Sequence, residues 1–214
     1  MKPFPRAVLA AVLLALIGVS GAHAGDAARD QARLRARVSP ALATRLTATV
    51  ERARADGLPT DPLVARALEG ASREASDAEI LDAVERQAAA LGEARRALGD
   101  SARPVELVAG ASALMAGVPR DSLVRLRASR GGGSLVVALV VMSDLVARGV
   151  PVETASASVI AATRAGAGDE ALLRMRERVH ERIQRGELPG GATRDGLREL
   201  LQRDAKGTAG TSRR

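Results

Sequence analysis

The stretch that most constrains the fold is an apolar run between Ser134 and Gly149, in which Ser143 and Asp144 are the only polar residues before Arg148. The run is too short to span a bilayer. Ser134 is suited to cap a helix and Arg148 suits its last turn, while a glycine at 149 ends it, so we predict a helix here and not a strand. Because this helix is apolar on every face, we expect it to lie at the centre of the fold.

Apolar residues recur at spacings of three and four along most of the remaining chain, which predicts amphipathic helices and an all-α fold. Prolines, capping residues and glycines mark the helix boundaries. The predicted starts are Ser39, Asp61, Ser76, Pro104, Val152 and Asp169, the predicted ends include Gly57, Gly70, Gly99 and Arg185, and a last amphipathic turn or two holds Leu197, Leu200 and Leu201.

Three connectors share one pattern, which reads glycine, aliphatic residue, proline, any residue, acid. They begin at Gly57, Gly117 and Gly149, and a looser copy begins at Gly186. The intervals of 32 and 37 residues between the last three glycines each fit a pair of helices. Such periods are typical of stacked hairpin repeats. We therefore predict stacked antiparallel helical hairpins, a repeat-like bundle around the central apolar helix, without assigning a named repeat family.

The first 24 residues have the layout of a secretory signal peptide, with basic residues, then an apolar run, then small residues. Ala22 and Ala24 occupy the positions that a signal peptidase reads, so cleavage is predicted before Gly25. An uncleaved anchor is disfavoured because the run is shorter than the roughly 20 residues of a spanning helix. No cysteine offers a lipid attachment point. We expect a periplasmic or secreted protein without stable membrane insertion after cleavage.

The mature chain is predicted to form a single all-helical domain over residues 25–203. Residues 204–214 are mostly glycine, threonine, serine and basic residues with little to bury, and a disordered tail is predicted there.

Composition narrows the classes of function. The chain is 46% hydrophobic but has no Trp, Tyr or Cys, and its one Phe is Phe4 in the leader. Stacking of sugars or bases on aromatic rings is therefore excluded, as are disulfides and thiolate metal sites. The formal net charge is +7, but acids are interleaved with the arginines, and nucleic acid is not an expected partner.

A glycine-rich loop that leads into the central helix is a candidate anion site. Loop amides at a helix N-terminus favour negative charge, and arginines lie nearby in sequence. The alternative is a flexible hinge that turns the apolar helix inward. The candidate residues are Arg125, Arg127, Arg130, Gly131, Gly132, Gly133 and Ser134.

No catalytic residue, metal site or cofactor is predicted. His180 is the only histidine beyond the leader, and no Gly-x-Ser-x-Gly motif accompanies it. The run from His180 is similar to the zinc-protease helix motif, but Gln184 replaces the second histidine. Glu177 and His180 form only half of a di-iron ligand set. The glycines at 166 and 168 follow a helix and no strand, so they favour a turn over dinucleotide binding. We expect a solvated His180, bonded to Glu177 or Gln184.

Arginines recur at helical spacing in two stripes, which we expect to be solvated faces with ion pairs. Lipid headgroups, lipopolysaccharide or an acidic partner are the alternatives. The stripes are Arg29, Arg33 and Arg37, and Arg174, Arg178, Arg182 and Arg185.

The sequence favours an exported, non-enzymatic binding or scaffold module. Its expected partner is an unidentified protein or an anionic component of the cell envelope. A small envelope hydrolase that uses carboxylates is the alternative, and a periplasmic helical chaperone is a further one. Oligomeric state is left open.

Overall fold

The computed structural model describes residue 29, residues 32–130 and residues 133–211, with side chains described up to residue 202. The predicted signal peptide and its residues Ala22, Ala24 and Gly25 lie outside this part of the chain. Within it every regular element is a helix, so the all-α prediction is confirmed. Residue 29 and residues 32–35 are helical, and the longer helices that follow are α1 (Pro40–Ala55), α2 (Asp61–Ser72), α3 (Asp77–Leu98), α4 (Pro104–Met115), α5 (Arg120–Arg130), α6 (Val136–Ala147), α7 (Val152–Arg164), α8 (Asp169–Gln184) and α9 (Pro189–Thr211).

The chain divides into two compact units, an N-terminal unit up to Ala111 and a C-terminal unit from Ser112 onward. In the N-terminal unit α1, α2 and α3 pack on one another, and Leu46, Leu63 and Leu91 are completely buried. Burial of each such side chain stabilises the fold by roughly 1.5–3 kcal/mol. The single domain over residues 25–203 stays a prediction.

In the C-terminal unit, helices that are two apart in sequence pack against each other. α7 contacts α5 and α9, and α8 contacts α6. The consecutive pairs α6 with α7 and α8 with α9 are also in contact. Leucine, valine, alanine and methionine form the core, as the absence of aromatic residues requires.

Five helices end in the same hydrogen-bonded turn, in which one glycine has a positive φ between +68° and +95°. At the end of α1, the Gly57 amide donates to the carbonyl of Arg54 and the Leu58 amide donates to that of Ala53, both at 2.9 Å. Only glycine adopts this left-handed conformation without steric cost, which explains its place at helix ends. Four of these turns fall at the connectors singled out by the sequence pattern, and Gly166 adds a fifth. The five glycines are Gly57, Gly117, Gly149, Gly166 and Gly186.

The predicted end of α2 at Gly70 is wrong, because the helix continues to Ser72. The residue in the left-handed position is Glu74, with φ +55°. Its amide donates to the carbonyl of Ala71 at 3.2 Å. Gly70 instead allows α2 to approach α3 closely, since a Cβ at this position would lie only 2.8 Å from Cγ1 of Ile80.

The apolar run forms helix α6, as predicted, but begins at Val136 and not directly after Ser134. The Ser134 hydroxyl accepts a hydrogen bond from the Val136 amide at 3.4 Å, whereas Leu135 stands at the capping position. Leu139 is completely buried, but Val140, like Val136, is only half-buried. Burial therefore does not extend to every face of α6, and the central position that the sequence predicts for this helix is not confirmed.

The last helix is longer than the one or two turns predicted near residues 197–201. It begins at Pro189 and extends to Thr211, with no second proline to stop it. Residues 204–211 are thus helical in the structure, where the sequence predicts the start of a disordered tail over 204–214; that disorder stays a prediction. Gly196 lies on the face of α9 toward α8, where a Cβ would lie 2.9 Å from Cγ2 of Val179.

Candidate functional site

The structure places the three arginines of the predicted anion site on α5. Gly131 and Gly132 lie outside the described residues. The Arg130 guanidinium bonds the carboxylate of Asp169, the first residue of α8. Its other terminal nitrogen, Nη1, is buried and has no hydrogen-bond partner among the described residues. Asp169 thus supplies, beside Arg130, the negative charge that the prediction assigned to a bound anion. The anion site itself stays a prediction.

Two other members of the predicted site bond groups that are near them in sequence. Arg125 donates to the hydroxyl of Ser122, one turn earlier on α5, at 3.2 Å. The amide of Gly133 donates to the carbonyl of Arg130 at 3.2 Å, which closes a turn after α5. Arg127 is half-buried on the same helix. Arg125 and Arg130, both on α5, therefore bond different partners.

A polar cluster that the sequence did not reveal links α6 to α8. Asp144 is 4% exposed, and its carboxylate accepts a hydrogen bond from Nε of Arg148 at 2.8 Å. Arg148 also bonds Nδ1 of His180 through Nη1. The expected contact between His180 and Gln184 is present, with 2.9 Å between Nε2 of the ring and the amide of Gln184. The sequence could have predicted the ion pair between Asp144 and Arg148, because residues four apart on a helix are neighbours.

The cluster determines what His180 can do chemically. A guanidinium only donates hydrogen bonds, so Nδ1 of His180 must accept the bond from Arg148. The neutral ring then carries its hydrogen on Nε2. This hydrogen needs an acceptor, so the Gln184 amide must be turned to present its oxygen in place of the nitrogen that lies 2.9 Å from the ring. With both ring nitrogens engaged, His180 connects α8 to the end of α6 through Arg148.

A second cluster joins α8 to α9. The Arg182 guanidinium bonds Glu199 and also Glu187, the latter at 3.2 Å, and Nε of Arg178 lies 3.4 Å from Glu199. Hydrogen bonds first to Glu187 and then to Glu199 raise the pKa of Arg182 above its ordinary value. Arg174 bonds Glu170 one turn earlier on the same helix. These three members of the second arginine stripe therefore form ion pairs, as expected.

The described residues hold no group of three or more histidine, aspartate or glutamate side chains arranged to bind a metal ion. Over the same part of the chain, no helix combines the length and the apolar character that crossing a membrane requires. No protein-family model matches the sequence, and no curated protein and no solved structure was found to match it. The fold class, all-α, and the geometry of the two clusters are therefore the basis for any functional assignment.

Proposed function

We propose that this protein is an exported, non-enzymatic binding or scaffold module, built from helical hairpins stacked around the apolar helix α6. The observation that carries the proposal is the packing of alternate helices in the C-terminal unit, α5 with α7, α7 with α9 and α6 with α8. In a stack of hairpins, the first helices of successive hairpins form one layer and the second helices form another. Such stacks present extended surfaces to partners.

The contacts between connectors support the same arrangement. A Cβ on Gly117 would lie 3.9 Å from Cγ2 of Val152, and a Cβ on Gly149 would lie 3.9 Å from Cγ of Pro189. The connector after α4 thus lies near the start of α7, which follows the connector after α6. In the same way, the connector after α6 lies near the start of α9, which follows the connector after α8. That arrangement is expected when each hairpin starts and ends at the same end of a stack.

Neither alternative function gains a specific observation. Buried Asp144 is paired with Arg148, and Glu199 with two arginines, so neither carboxylate has the unpaired, apolar surroundings that prepare a general acid. The chaperone alternative likewise has no supporting contact among the described residues. A binding module requires no such group.

A crosslinking experiment tests the proposal. Leu188 is 81% exposed in the connector between α8 and α9, so a photoreactive amino acid placed there samples the surface of the C-terminal unit. We expect discrete adducts in cells that express the protein, and none from a matched position at Ala89, which is exposed on α3. Absence of adducts from Leu188, Val124 and Leu173 alike, or a turnover that is lost in an Asp144→Asn variant, would contradict it.

A further inference from the structure

The excess positive charge of the chain is concentrated in one short stretch. Residues 32–56 contain six arginines, one glutamate and one aspartate, which is a net charge of +4 in a chain whose net charge is +7. Arg54 is paired with Glu51. The remaining five arginines are all exposed, and no ion pair joins them to another described residue. We call these five the arginine face: Arg33, Arg35, Arg37, Arg45 and Arg52.

The packing of α1 explains why this charge faces solvent. Leu42, Leu46 and Val50 are buried on the side that faces α3. Arg45 and Arg52 are two turns apart on the outer side, about 10 Å along the helix axis, with the exposed Ala48 between them. Ala48 carries only a methyl group, so no long side chain stands between the two at this position.

The acids around the arginine face are few. Asp77 at the start of α3 accepts a hydrogen bond from the Ser39 hydroxyl, so it lies beside the turn that precedes α1. Asp56 follows α1 and is exposed. Asp26 and Asp30 come earlier in the sequence and lie outside the described residues. The charge of this stretch is therefore reduced at its ends and is positive along its length.

We propose that the arginine face docks the protein on an anionic phospholipid bilayer, which would make the membrane surface a partner of the proposed binding module. One guanidinium group can donate two parallel hydrogen bonds to the oxygens of a phosphate. A protein partner of ordinary affinity needs buried apolar anchors. In the described part of the N-terminal unit no large hydrophobic side chain is exposed, so this surface offers charge to a partner and no such anchor. The apolar side of α1 is occupied by the core, so contact is peripheral and electrostatic.

Vesicle flotation tests this inference with the chain that starts at Gly25, which keeps every described residue and omits the apolar leader. We expect binding to phosphatidylcholine vesicles that contain phosphatidylglycerol and none to phosphatidylcholine alone. Raising the salt from about 0.05 M to about 0.5 M should abolish it, because exposed charges are then screened within a few ångströms. Binding that is independent of anionic lipid or salt would overturn the proposal.

A charge-matched pair of variants locates the surface. The triple variant Arg37→Gln, Arg45→Gln, Arg52→Gln should bind on the order of a hundredfold more weakly. The control removes equal charge from exposed arginines of the C-terminal unit, Arg164→Gln, Arg185→Gln and Arg194→Gln, and should keep most of the binding. Equal losses in both variants, or selective binding of an acidic peptide in place of vesicles, would overturn the proposal. Adducts from Leu188 would still be expected in that event, so this failure is distinguishable from failure of the binding module itself.

Discussion

Glu74 has the backbone conformation that five glycines adopt at other helix ends. Its φ of +55° is the only positive value at a residue other than glycine in the described chain. A residue with a Cβ in this left-handed region destabilises the folded state by roughly 1–2 kcal/mol. Glycine removes that strain, but part of the gain is offset because glycine gives the unfolded chain more conformational entropy. We expect Glu74→Gly to stabilise the protein by about 1 kcal/mol, measured as a higher urea midpoint. Glu74→Ala removes the same carboxylate but keeps a Cβ, so a matching gain in that variant would contradict the explanation.

Substitution of Gly70 tests a different property, which is the space between α2 and α3. A Cβ there would lie 2.8 Å from Cγ1 of Ile80, so we expect Gly70→Ala to destabilise the protein by about 1–3 kcal/mol. Gly92 lies inside α3 with only the end of the flexible Arg96 side chain near it, at 3.8 Å. Gly92→Ala should therefore stabilise by about 0.5–1 kcal/mol through helix propensity. The same sign for both substitutions in chemical denaturation would refute the close-contact interpretation.

Gly57 and Gly70 together show what sequence patterns leave undetermined. A glycine near the end of an apolar pattern predicts a stop, and this holds at Gly57 but not at Gly70. The difference depends on Ile80 across the helix interface, which no local pattern contains. In the same way, Asp144 and Arg148 could be paired by their spacing, whereas their link to His180 depends on the packing of α6 against α8.

Among the helices, the start of α3 is the boundary that the sequence predicts best. The Ser76 amide and hydroxyl both donate to the carboxylate of Glu79, at 2.9 and 2.7 Å, and the Glu79 amide donates back to the hydroxyl at 3.3 Å. These side-chain and backbone hydrogen bonds from Ser76 hold the pKa of Glu79 below its ordinary value. The folded state is therefore stabilised while Glu79 is ionised, and that contribution is lost as the pH falls through the lowered pKa.

We therefore expect Glu79→Gln to be less stable than the unmodified protein at pH 7, and the difference to shrink progressively as the solution is made more acidic than a free glutamate's pKa. Thermal melts at a series of pH values measure this difference. Glu85→Gln, an exposed site farther along α3, provides the control and should show little difference at any pH. A difference for Glu79→Gln that stays constant down to strongly acidic pH would contradict a role for the ionised carboxylate.

Connectors were predictable, whereas the half-buried side of α6 was not. The glycine, aliphatic, proline pattern indicated the turns after α1, α4, α6 and, more loosely, α8, because the bonds that close them lie within six residues. The half-buried valines of α6 were missed, since uniform hydrophobicity indicates burial without saying how many neighbours are available. The length of α9 was underestimated because its polar end gives no apolar periodicity to read.

For the whole molecule, export is the prediction with the clearest test. The small residues Ala22 and Ala24 predict cleavage at the bond before Gly25. We expect the protein recovered from the periplasm or the medium of an expressing bacterium to begin at Gly25, as N-terminal sequencing would establish. Ala24→Pro should block processing and leave the leader attached. Recovery of a chain that begins at Met1 from that fraction would contradict the prediction.

Five turns closed by backbone hydrogen bonds and a single glycine have a consequence for how such a chain changes over evolutionary time. A duplicated or deleted segment of one helix pair, as from Gly117 to Gly149 or from Gly149 to Gly186, would regenerate an intact joint at its boundary. Chain length would then vary in steps of one helix pair, and descendants that differ by 32 or 37 residues would keep the same joints.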